Sequence, residues 1–380
     1  MRLAVISELP CEGMVPRVIL GGLKSGYEKH GVPAIAAGIH CYKRSHPPDA
    51  FSPLLCVGGY GADRGPYYDD LKKRLFNLLR HSQGVHYHHF QDCMTLPMAA
   101  VWYTCRQLRI PFFVTFQEYD NPHDPKAIEA IPKKFRVENN GWFQRCLMEA
   151  RGVSAPSRYL AKQIAARMPA KFGRNIQVIP NGHDPNESAR PPIQDFSGDP
   201  QDPIVVCVGR LWLYKGIDVL VEAWKNVCRA DKTARLVVYG AGVCNKKRFQ
   251  ALARQCGVSR RIDFAGQIPR TLLFRRLHEC LFSVLPSRHE AFGMAVVEAM
   301  ACGKAVVATR SGGPQEIIRD GITGLLVPPG DPQALASAML KLLKNRRLRE
   351  DLGSRARTAS VRYHWPSVAR SYLRWMEISC

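Results

Sequence analysis

The chain has 380 residues, of which 46% are hydrophobic and 23% are charged, and its formal net charge at pH 7 is +22. This length usually gives about two domains, and this composition excludes a disordered protein. The excess of 54 Lys and Arg over 32 Asp and Glu favours anionic partners, such as nucleotide phosphates, phosphorylated acceptors, anionic lipids or nucleic acid.

Cysteine usage and the apolar runs indicate a cellular compartment. No apolar run approaches the roughly 20 residues of a membrane span, and residues 1–10 are too short for a secretory signal and predict a first buried strand. The 13 cysteines are scattered singly, with no C-x-x-C pair, which favours reduced thiols over disulfides or zinc. We therefore expect a cytoplasmic protein.

The first half of the chain alternates short apolar runs with helical stretches. Strands are predicted at residues 3–7, 85–90, 112–116, 152–157 and 176–180. Short continuous apolar runs separated by helices are typical of parallel strands that are covered on both faces. The Gly21-Gly22 pair falls inside the first helical stretch, where we interpret it as a helix-packing feature.

The second half repeats this pattern after a segment rich in Pro, Ser, Asp and Asn, which indicates a linker at residues 184–202. Further strands are predicted at residues 203–209, 234–240, 262–266, 282–287, 305–309 and 324–329. Two doubly wound, Rossmann-like α/β domains follow, at residues 1–183 and 203–362. Ligands of such sheets bind outside the carboxyl ends of the strands, so we expect a binding cleft between the two domains.

The most informative stretch is residues 286–329. Glu290 and Glu298 are separated by seven residues, with Gly293 between them, and residues 295–302 predict a helix because they contain no helix breaker. The free amides at such a helix start can hold a phosphate or a sugar oxygen. The carboxylates can accept hydrogen bonds from hydroxyls, so the arrangement suits a nucleotide sugar.

This stretch resembles the donor-site signature of retaining GT-B glycosyltransferases of family 4, the group 1 glycosyltransferases. Their pattern is E, seven residues, E, continued as E-A-M-A-x-G and followed by a G-G-x-x-E loop. The chain has Glu290, EAMACG at residues 298–303 and GGPQE at residues 312–316. An earlier block, VGRL at residues 208–211 with Lys-Gly at 215–216, is similar to the phosphate clamp of the family. Several motifs in the right order are far more specific than one glutamate pair.

The resemblance implies a GT-B fold, with the two domains facing a cleft and a C-terminal helix at residues 363–380 crossing back to the first domain. It implies a hexosyltransferase that needs no metal and moves a hexose from a nucleoside-diphosphate sugar to a hydroxyl acceptor with retention of configuration. Glycan, glycolipid or glycosylated-metabolite biosynthesis would be its context. No cofactor is expected beyond the nucleotide-sugar co-substrate, for which a UDP-sugar is our first expectation and a GDP-sugar our second.

The resemblance also assigns roles to residues on the donor side. Arg210 and Lys215 would neutralise the leaving diphosphate: the Arg210 guanidinium would bind two phosphate oxygens, and Lys215 would add a point charge. Glu290, near the sugar hydroxyls, is the third predicted catalytic residue. Glu298 would accept hydrogen bonds from the nucleotide ribose. Phe292 could equally be a core aromatic. The other predicted donor-binding residues are Gly13, Gly209, Gln267, Ile268, Ala291, Phe292 and Gly293.

The resemblance is weaker in the first domain, where Gly13 is the one glycine present of the usual pair. His88 lies in a His-x-His resembling that of the family; it would either orient the sugar or acceptor or make hydrogen bonds within a strand-end turn. Gln117 stands where relatives carry a His that contacts the donor sugar. Because Gln cannot titrate near neutral pH, it is no general base. Glu118 and Asp120 could assist.

A second hypothesis is a basic nucleic-acid-binding or membrane-binding protein on a degenerate transferase scaffold. The net charge and Gln117 favour it, whereas the intact carboxylates and clamp argue against it, and we expect no nucleic acid. The glutamate pair also argues against an inverting transferase or an epimerase. Basic clusters are either solvated faces or a surface for a peripheral membrane or an anionic acceptor; they lie at residues 72–74, 133–136, 246–248, 275–276 and 346–349.

Overall fold

The structure is a computed structural model that describes residues 2–9, 15–40, 55–56, 64–89, 96–117, 141–166, 175–189 and 203–378. It contains two compact units, one formed by Met1–Gly182 with Trp365–Cys380 and the other by His183–His364. Three residues singled out by the sequence, Gly13, Glu118 and Asp120, lie outside the described ranges, as does the basic cluster at 133–136.

The sheet of the first unit has seven parallel strands in the order β3-β2-β1-β4-β5-β6-β7. Two of them, β2 and β3, were missed by the sequence analysis, because β2 is rich in Ala and Gly, which are poor strand formers, and β3 has only two residues. The strands are β1 (Leu3–Leu9), β2 (Ala34–His40), β3 (Leu55–Cys56), β4 (Gly84–His89), β5 (Phe112–Phe116), β6 (Gly152–Ala155) and β7 (Ile176–Val178).

The sheet of the second unit has six parallel strands in the order β10-β9-β8-β11-β12-β13, and all six were predicted. Alternate residues of β8 enter two different hydrophobic clusters, since Val205 packs with Trp224 and Val206 packs with Phe292. Both faces of this sheet are therefore covered. The strands are β8 (Ile204–Val208), β9 (Arg235–Tyr239), β10 (Ile262–Gly266), β11 (Phe282–Leu285), β12 (Val306–Thr309) and β13 (Leu325–Val327).

Helices connect the strands of both sheets, so the predicted α/β architecture of two Rossmann-like domains is confirmed. In chain order they are α1 (Val15–Lys29), α2 (Arg64–Leu79), α3 (Leu96–Leu108), α4 (Gly141–Glu149), α5 (Arg158–Ala165), α6 (Pro185–Ala189), α7 (Ile217–Ala230), α8 (Val243–Gln255), α9 (Arg270–Glu279), α10 (Met294–Ala301), α11 (Pro314–Ile317), α12 (Pro332–Lys344), α13 (Arg346–Ser360) and α14 (Trp365–Ile378).

The segment that the sequence analysis assigned to a linker, residues 184–202, is partly helical. Its first residues form α6, which belongs to the second unit. The Arg270 side chain explains this, because its Nε donates to the Glu187 carboxylate at 2.8 Å and ties α6 to α9. A Pro-rich and Ser-rich composition gives no sign of such a distant ionic partner.

The C-terminal helix α14 packs on α1 within the first unit. Glycines permit the close approach, because a Cβ at Gly22 would overlap the indole ring of Trp365, and one at Gly26 would lie 2.6 Å from the Cβ of Ala369. The interpretation of the Gly21-Gly22 pair as a packing feature is thus confirmed for Gly22.

Gly22→Ala should destabilise the first unit. Alanine is the better helix former, but its methyl group would have to displace the Trp365 ring, and overpacking of this kind costs about 1–3 kcal/mol. The measurement is the thermal unfolding midpoint, with Ser25→Ala as a control because Ser25 is exposed on the same helix. Equal midpoints for the two variants would contradict the packing role.

Candidate active site

Two loops meet at the carboxyl ends of the neighbouring strands β8 and β11. The loop after β8 ends at Gly216, which has a φ of +66°, and a Cβ there would overlap the carbonyl oxygen of Pro286. A residue with a side chain would therefore be excluded by both its backbone conformation and its surroundings. The contact brings residues 209–216 against the segment that follows β11.

This approach brings Lys215 and Glu290 together. The Nζ of Lys215 lies 2.8 Å from Oε2 of Glu290, and the two side chains are only 14% and 12% exposed. Ser287 donates its hydroxyl to the same oxygen at 3.2 Å. The predicted phosphate cation and the predicted sugar-binding carboxylate, 75 positions apart in the chain, are thus direct partners in the second unit.

Arg210 lies on the same loop among aromatic side chains. Its Nη2 donates to the Tyr214 hydroxyl at 2.8 Å, and its guanidinium carbon lies 5.8 Å from the centre of the Trp212 ring. Trp212 is exposed. The sequence analysis did not single out Trp212 or Tyr214, although two aromatic residues between the Arg and the Lys of a phosphate clamp were a visible signal.

Backbone hydrogen bonds fix the turn that carries Glu290. Its N–H donates to the Ser311 carbonyl at 3.0 Å, and its carbonyl accepts from the Gly313 N–H at 2.8 Å. A Cβ at Gly313 would overlap the backbone of Phe292, so the G-G-x-x-E loop packs directly on this turn. The motif is therefore needed in part to hold Glu290 in place.

The turn leads directly into α10. Gly293 precedes the helix with a φ of +109°, and the helix starts and ends one residue earlier than predicted. The Phe292 ring is buried and packs edge-on against Tyr363 with ring centres 5.9 Å apart, which confirms its interpretation as a core aromatic. The helix therefore begins four residues after Glu290.

The remaining predicted donor-binding residues of the second unit differ in exposure. Ala291 is half-buried, Gln267 is exposed, and Ile268 is half-buried with its side chain packed against the core. A Cβ at Gly209 would meet no atom within 4 Å, so this backbone is open to approach. Contacts of these residues with a nucleotide stay predictions.

Glu298 lies on the second turn of α10 and is 5% exposed. Arg270 Nη1 donates to Glu298 Oε1 at 2.6 Å, while Arg270 Nε donates to Glu187. The sequence analysis missed Arg270. Its position just after Gln267 and Ile268 was the available signal, because these two residues follow β10 at the same edge of the sheet.

A buried polar network occupies the first unit. Tyr27 Oη and Nδ1 of His86 are 2.9 Å apart, and Nε2 of His86 lies 2.7 Å from the Thr115 hydroxyl. That hydroxyl lies 2.6 Å from the Ser154 hydroxyl. The chain of contacts links α1 to three neighbouring strands, β4, β5 and β6, so the first histidine of the His-x-His has a structural role.

His88 and Gln117 form a second part of this network. The Gln117 amide nitrogen lies 2.9 Å from Nδ1 of His88, and its carbonyl oxygen accepts from Asn181 at 2.7 Å. His88 is fully buried and Gln117 is 5% exposed. The hydrogen bond of His88 therefore runs to the residue after the neighbouring strand β5 and not within a strand-end turn, and a contact of His88 with a sugar or acceptor stays a prediction. Asn181, from the segment before the predicted linker, was missed.

Burial keeps both histidines neutral. Removal from water lowers the pKa of His88 to about 3, and removal from water together with the neighbouring His88 holds the pKa of His86 well below its usual range. A neutral His88 can accept a hydrogen bond at Nδ1 while its proton resides on Nε2. Nε2 is buried and has no hydrogen-bond partner among the residues that the structure describes.

Within the described ranges, no three or more His, Cys, Asp or Glu side chains are grouped so that they could hold a metal ion. Of the helices in that part of the chain, none is long and apolar enough to cross a membrane.

Comparison with protein families identifies the chain. A family described as "Glycosyl transferases group 1" matches residues 192–359, and one described as "Glycosyltransferase Family 4" matches residues 42–187. The two matches together cover most of the chain and include the loops described above. The chain belongs to the group 1 glycosyltransferases.

Curated relatives share this assignment over part of their length. A D-inositol 3-phosphate glycosyltransferase of Xylanimonas cellulosilytica is 34% identical over 211 residues, which are 52% of this chain and 50% of the relative. Another, of Acidothermus cellulolyticus, is 33% identical over 250 residues, or 60% and 55% of the two chains. This chain thus spans about half the length of the curated relatives that it matches.

Solved structures resemble the whole chain. Anabaena HepE in complex with UDP-glucose matches with a TM-score of 0.76 at 18% identity, covering 99% of each chain. Sucrose-phosphate synthase of Thermosynechococcus elongatus matches with a TM-score of 0.73 at 21% identity, covering 99% of this chain and 98% of that one. The likeness confirms the predicted GT-B fold.

The buried histidines predict acid sensitivity. The unfolded chain binds a proton at His88 below a pH of about 6.5, which the folded state does not take up until about pH 3. The free energy of unfolding should therefore fall with decreasing pH across this window, by up to about 1.4 kcal/mol per pH unit for this group. Thermal midpoints from pH 7.5 to 4.5 should fall less steeply for His88→Asn than for wild type. The exposed His81 offers a control, since His81→Asn should keep the wild-type slope; a wild-type slope in His88→Asn would contradict the prediction.

Proposed function

We propose that this chain is a retaining glycosyltransferase that transfers a hexose from a nucleoside-diphosphate sugar to a hydroxyl acceptor. The observation that carries the proposal is the 2.8 Å contact between Lys215 and Glu290 at the carboxyl ends of β8 and β11. It places a cation suited to the leaving phosphate next to a carboxylate suited to sugar hydroxyls, in a chain whose family transfers sugars.

The chemistry needs positive charge where the diphosphate leaves. The bond from the anomeric carbon to the phosphate oxygen breaks, negative charge grows on the phosphate, and Arg210 and Lys215 stabilise it as fixed groups. We propose that these two side chains supply the charge without a metal ion. The incoming hydroxyl attacks from the face that the phosphate leaves, and a phosphate oxygen takes its proton, so configuration is retained without a covalent nucleophile.

The donor is proposed from the same site. Glu290 would bind sugar hydroxyls and Glu298 the ribose hydroxyls of the nucleotide. UDP is the first candidate nucleotide and GDP the second; the first is supported by the binding of UDP-glucose to HepE, a protein of similar fold. No cofactor beyond the nucleotide sugar is proposed.

The acceptor is proposed to carry a hydroxyl and an anionic group. Its support is the net charge of +22 and the naming of relatives for D-inositol 3-phosphate. The basic clusters give less support to binding at a membrane surface. Arg276 is paired with Glu279, Arg346 is paired with Glu350, and Arg349 donates to carbonyls at the end of α12. These contacts suit solvated helix faces, so peripheral membrane binding is a secondary proposal, and binding of nucleic acid gains no support.

A cytoplasmic location is part of the proposal, with association at the inner membrane face as its extension. Cys207 and Cys280 are free, buried thiols, and burial raises the pKa of the Cys280 thiol to about 11. Thiols of this kind are inert and suit a reducing compartment.

The first test is nucleotide binding followed by product analysis. UDP at a hundred times its Kd should stabilise the protein by about 2.7 kcal/mol, whereas uridine, which lacks the diphosphate, should give little stabilisation. With UDP-glucose and an inositol phosphate acceptor, the anomeric proton coupling in NMR should show an α linkage. A β linkage would contradict retention, and the absence of a thermal shift with every nucleotide would contradict the proposed function itself.

A second prediction concerns the clamp. Lys215→Ala should lower kcat/KM by the equivalent of about 2–4 kcal/mol, because an electrostatic donor to the developing anion is lost and Glu290 loses the cation that lies 2.8 Å from it. The matched control is Lys225→Ala, which removes an exposed lysine from α7 in the same unit. Normal turnover in the Lys215 variant would remove this residue from the clamp.

A further inference from the structure

Arg270 joins two carboxylates from different parts of the second unit. Its Nε donates to Glu187 at 2.8 Å and its Nη1 to Glu298 at 2.6 Å. The guanidinium carbon lies 4.9 Å from the centre of the Phe274 ring, which covers one of its faces. All three charged side chains are at least three-quarters buried, so this bridge between α6, α9 and α10 is an interior feature.

Stability alone is a poor explanation for this bridge. Moving charges out of water costs several kcal/mol per ion, and buried ion pairs are often no more stabilising than apolar residues of the same volume. Here burial raises the pKa of Glu187 although Arg270 is in contact with it, whereas Glu298 and Glu187 raise the pKa of Arg270 in spite of its burial, so the pairing outweighs the loss of hydration at Arg270 but not at Glu187. In addition, Nη2 of Arg270 is buried without a hydrogen-bond partner in the described part of the chain.

The orientation of Glu298 suggests a function instead. Arg270 takes Oε1, and among the described residues no hydrogen bond reaches Oε2. A carboxylate held by one oxygen presents the other in a defined direction. A planar guanidinium that is itself fixed by Glu187 provides this rigidity, which a flexible lysine could not match.

We infer that Arg270 is a positioning residue for the nucleotide: it turns Glu298 so that Oε2 accepts hydrogen bonds from the ribose hydroxyls. The inference rests on the proposed function, in which Glu298 binds the ribose. Glu187 supports this role, because it holds the Arg270 guanidinium from the other side.

The test compares two ligands that differ in the ribose. Isothermal titration would measure the Kd of UDP and of inorganic pyrophosphate for wild type, Arg270→Gln and Arg270→Lys. We expect Arg270→Gln to weaken UDP binding about tenfold, the effect of losing one well-placed hydrogen bond. Pyrophosphate binding should be unchanged, because pyrophosphate has no ribose. Arg270→Lys should fall between wild type and Arg270→Gln.

A matched control lies on the same helix. Arg275 is half-buried and bonded to Glu279 at 3.2 Å, so Arg275→Gln also breaks an arginine–glutamate pair of α9. It should leave both dissociation constants unchanged.

In turnover of UDP-glucose, Arg270→Gln should raise the donor KM while kcat stays within about twofold, because ribose contacts are alike in ground and transition states.

A double-mutant cycle shows whether Arg270 acts through Glu298. In a Glu298→Gln background, Arg270→Gln should weaken UDP binding little further, since the carboxylate that it positions is gone. Additive effects of the two changes would overturn the inference, and so would an unchanged or tighter Kd for UDP in Arg270→Gln.

Other outcomes separate this inference from the proposed function. Equal weakening of UDP and pyrophosphate would indicate a general structural role and overturn the inference while the transferase proposal stands. If wild type binds neither ligand, the proposed function fails and the inference fails with it. Should Arg270→Gln not fold, the UDP-to-pyrophosphate ratio of Arg270→Lys decides, and an unchanged ratio overturns the inference.

Discussion

The close approach of Gly216 to the Pro286 carbonyl is the contact on which the candidate active site depends. It joins the loops that follow β8 and β11, two neighbouring parallel strands. The backbone N–H of Arg288 donates to the Tyr214 carbonyl at 2.7 Å and strengthens the same junction. Because backbone atoms set the distance between the loops, Lys215 meets Glu290 in a geometry that the side chains alone could not define.

The two acidic residues of the site are each held by a cationic side chain. Glu290 is held by Lys215, and Glu298 is held by Arg270, so each carboxylate has a cation from a different element of the fold. The pairs differ in purpose under the proposed function. Lys215 is largely buried beside a carboxylate and can also serve a phosphate, whereas Arg270 has carboxylates on two sides and serves only to orient.

Sequence reasoning succeeded where information is local. Continuous apolar runs revealed all six strands of the second unit, and Gly293 marked the start of α10 within one residue. It failed where a partner lies far away in the chain. Neither the linker composition around Glu187 nor the position of Arg270 predicts that the two residues pair across 83 positions of the chain. Similarly, the Ala-rich β2 is a strand because β1 and β3 flank it in the sheet. The burial of His88 likewise depends on the whole sheet, which a His-x-His pattern does not contain.

Gln117 departs from the family pattern, and the surrounding fold accommodates its side chain. Its amide donates at one end and accepts at the other, so it joins His88 to Asn181 while carrying no charge. A protonated imidazole has donors at both nitrogens and could not accept from Asn181. In this buried position, where a charge would lack hydration, an amide keeps the bridge uncharged over the pH range in which His88 is neutral. Gln117 therefore contributes rigidity to the first unit, and under the proposed function the groups that stabilise the charge on the leaving diphosphate belong to the second unit, at Arg210 and Lys215.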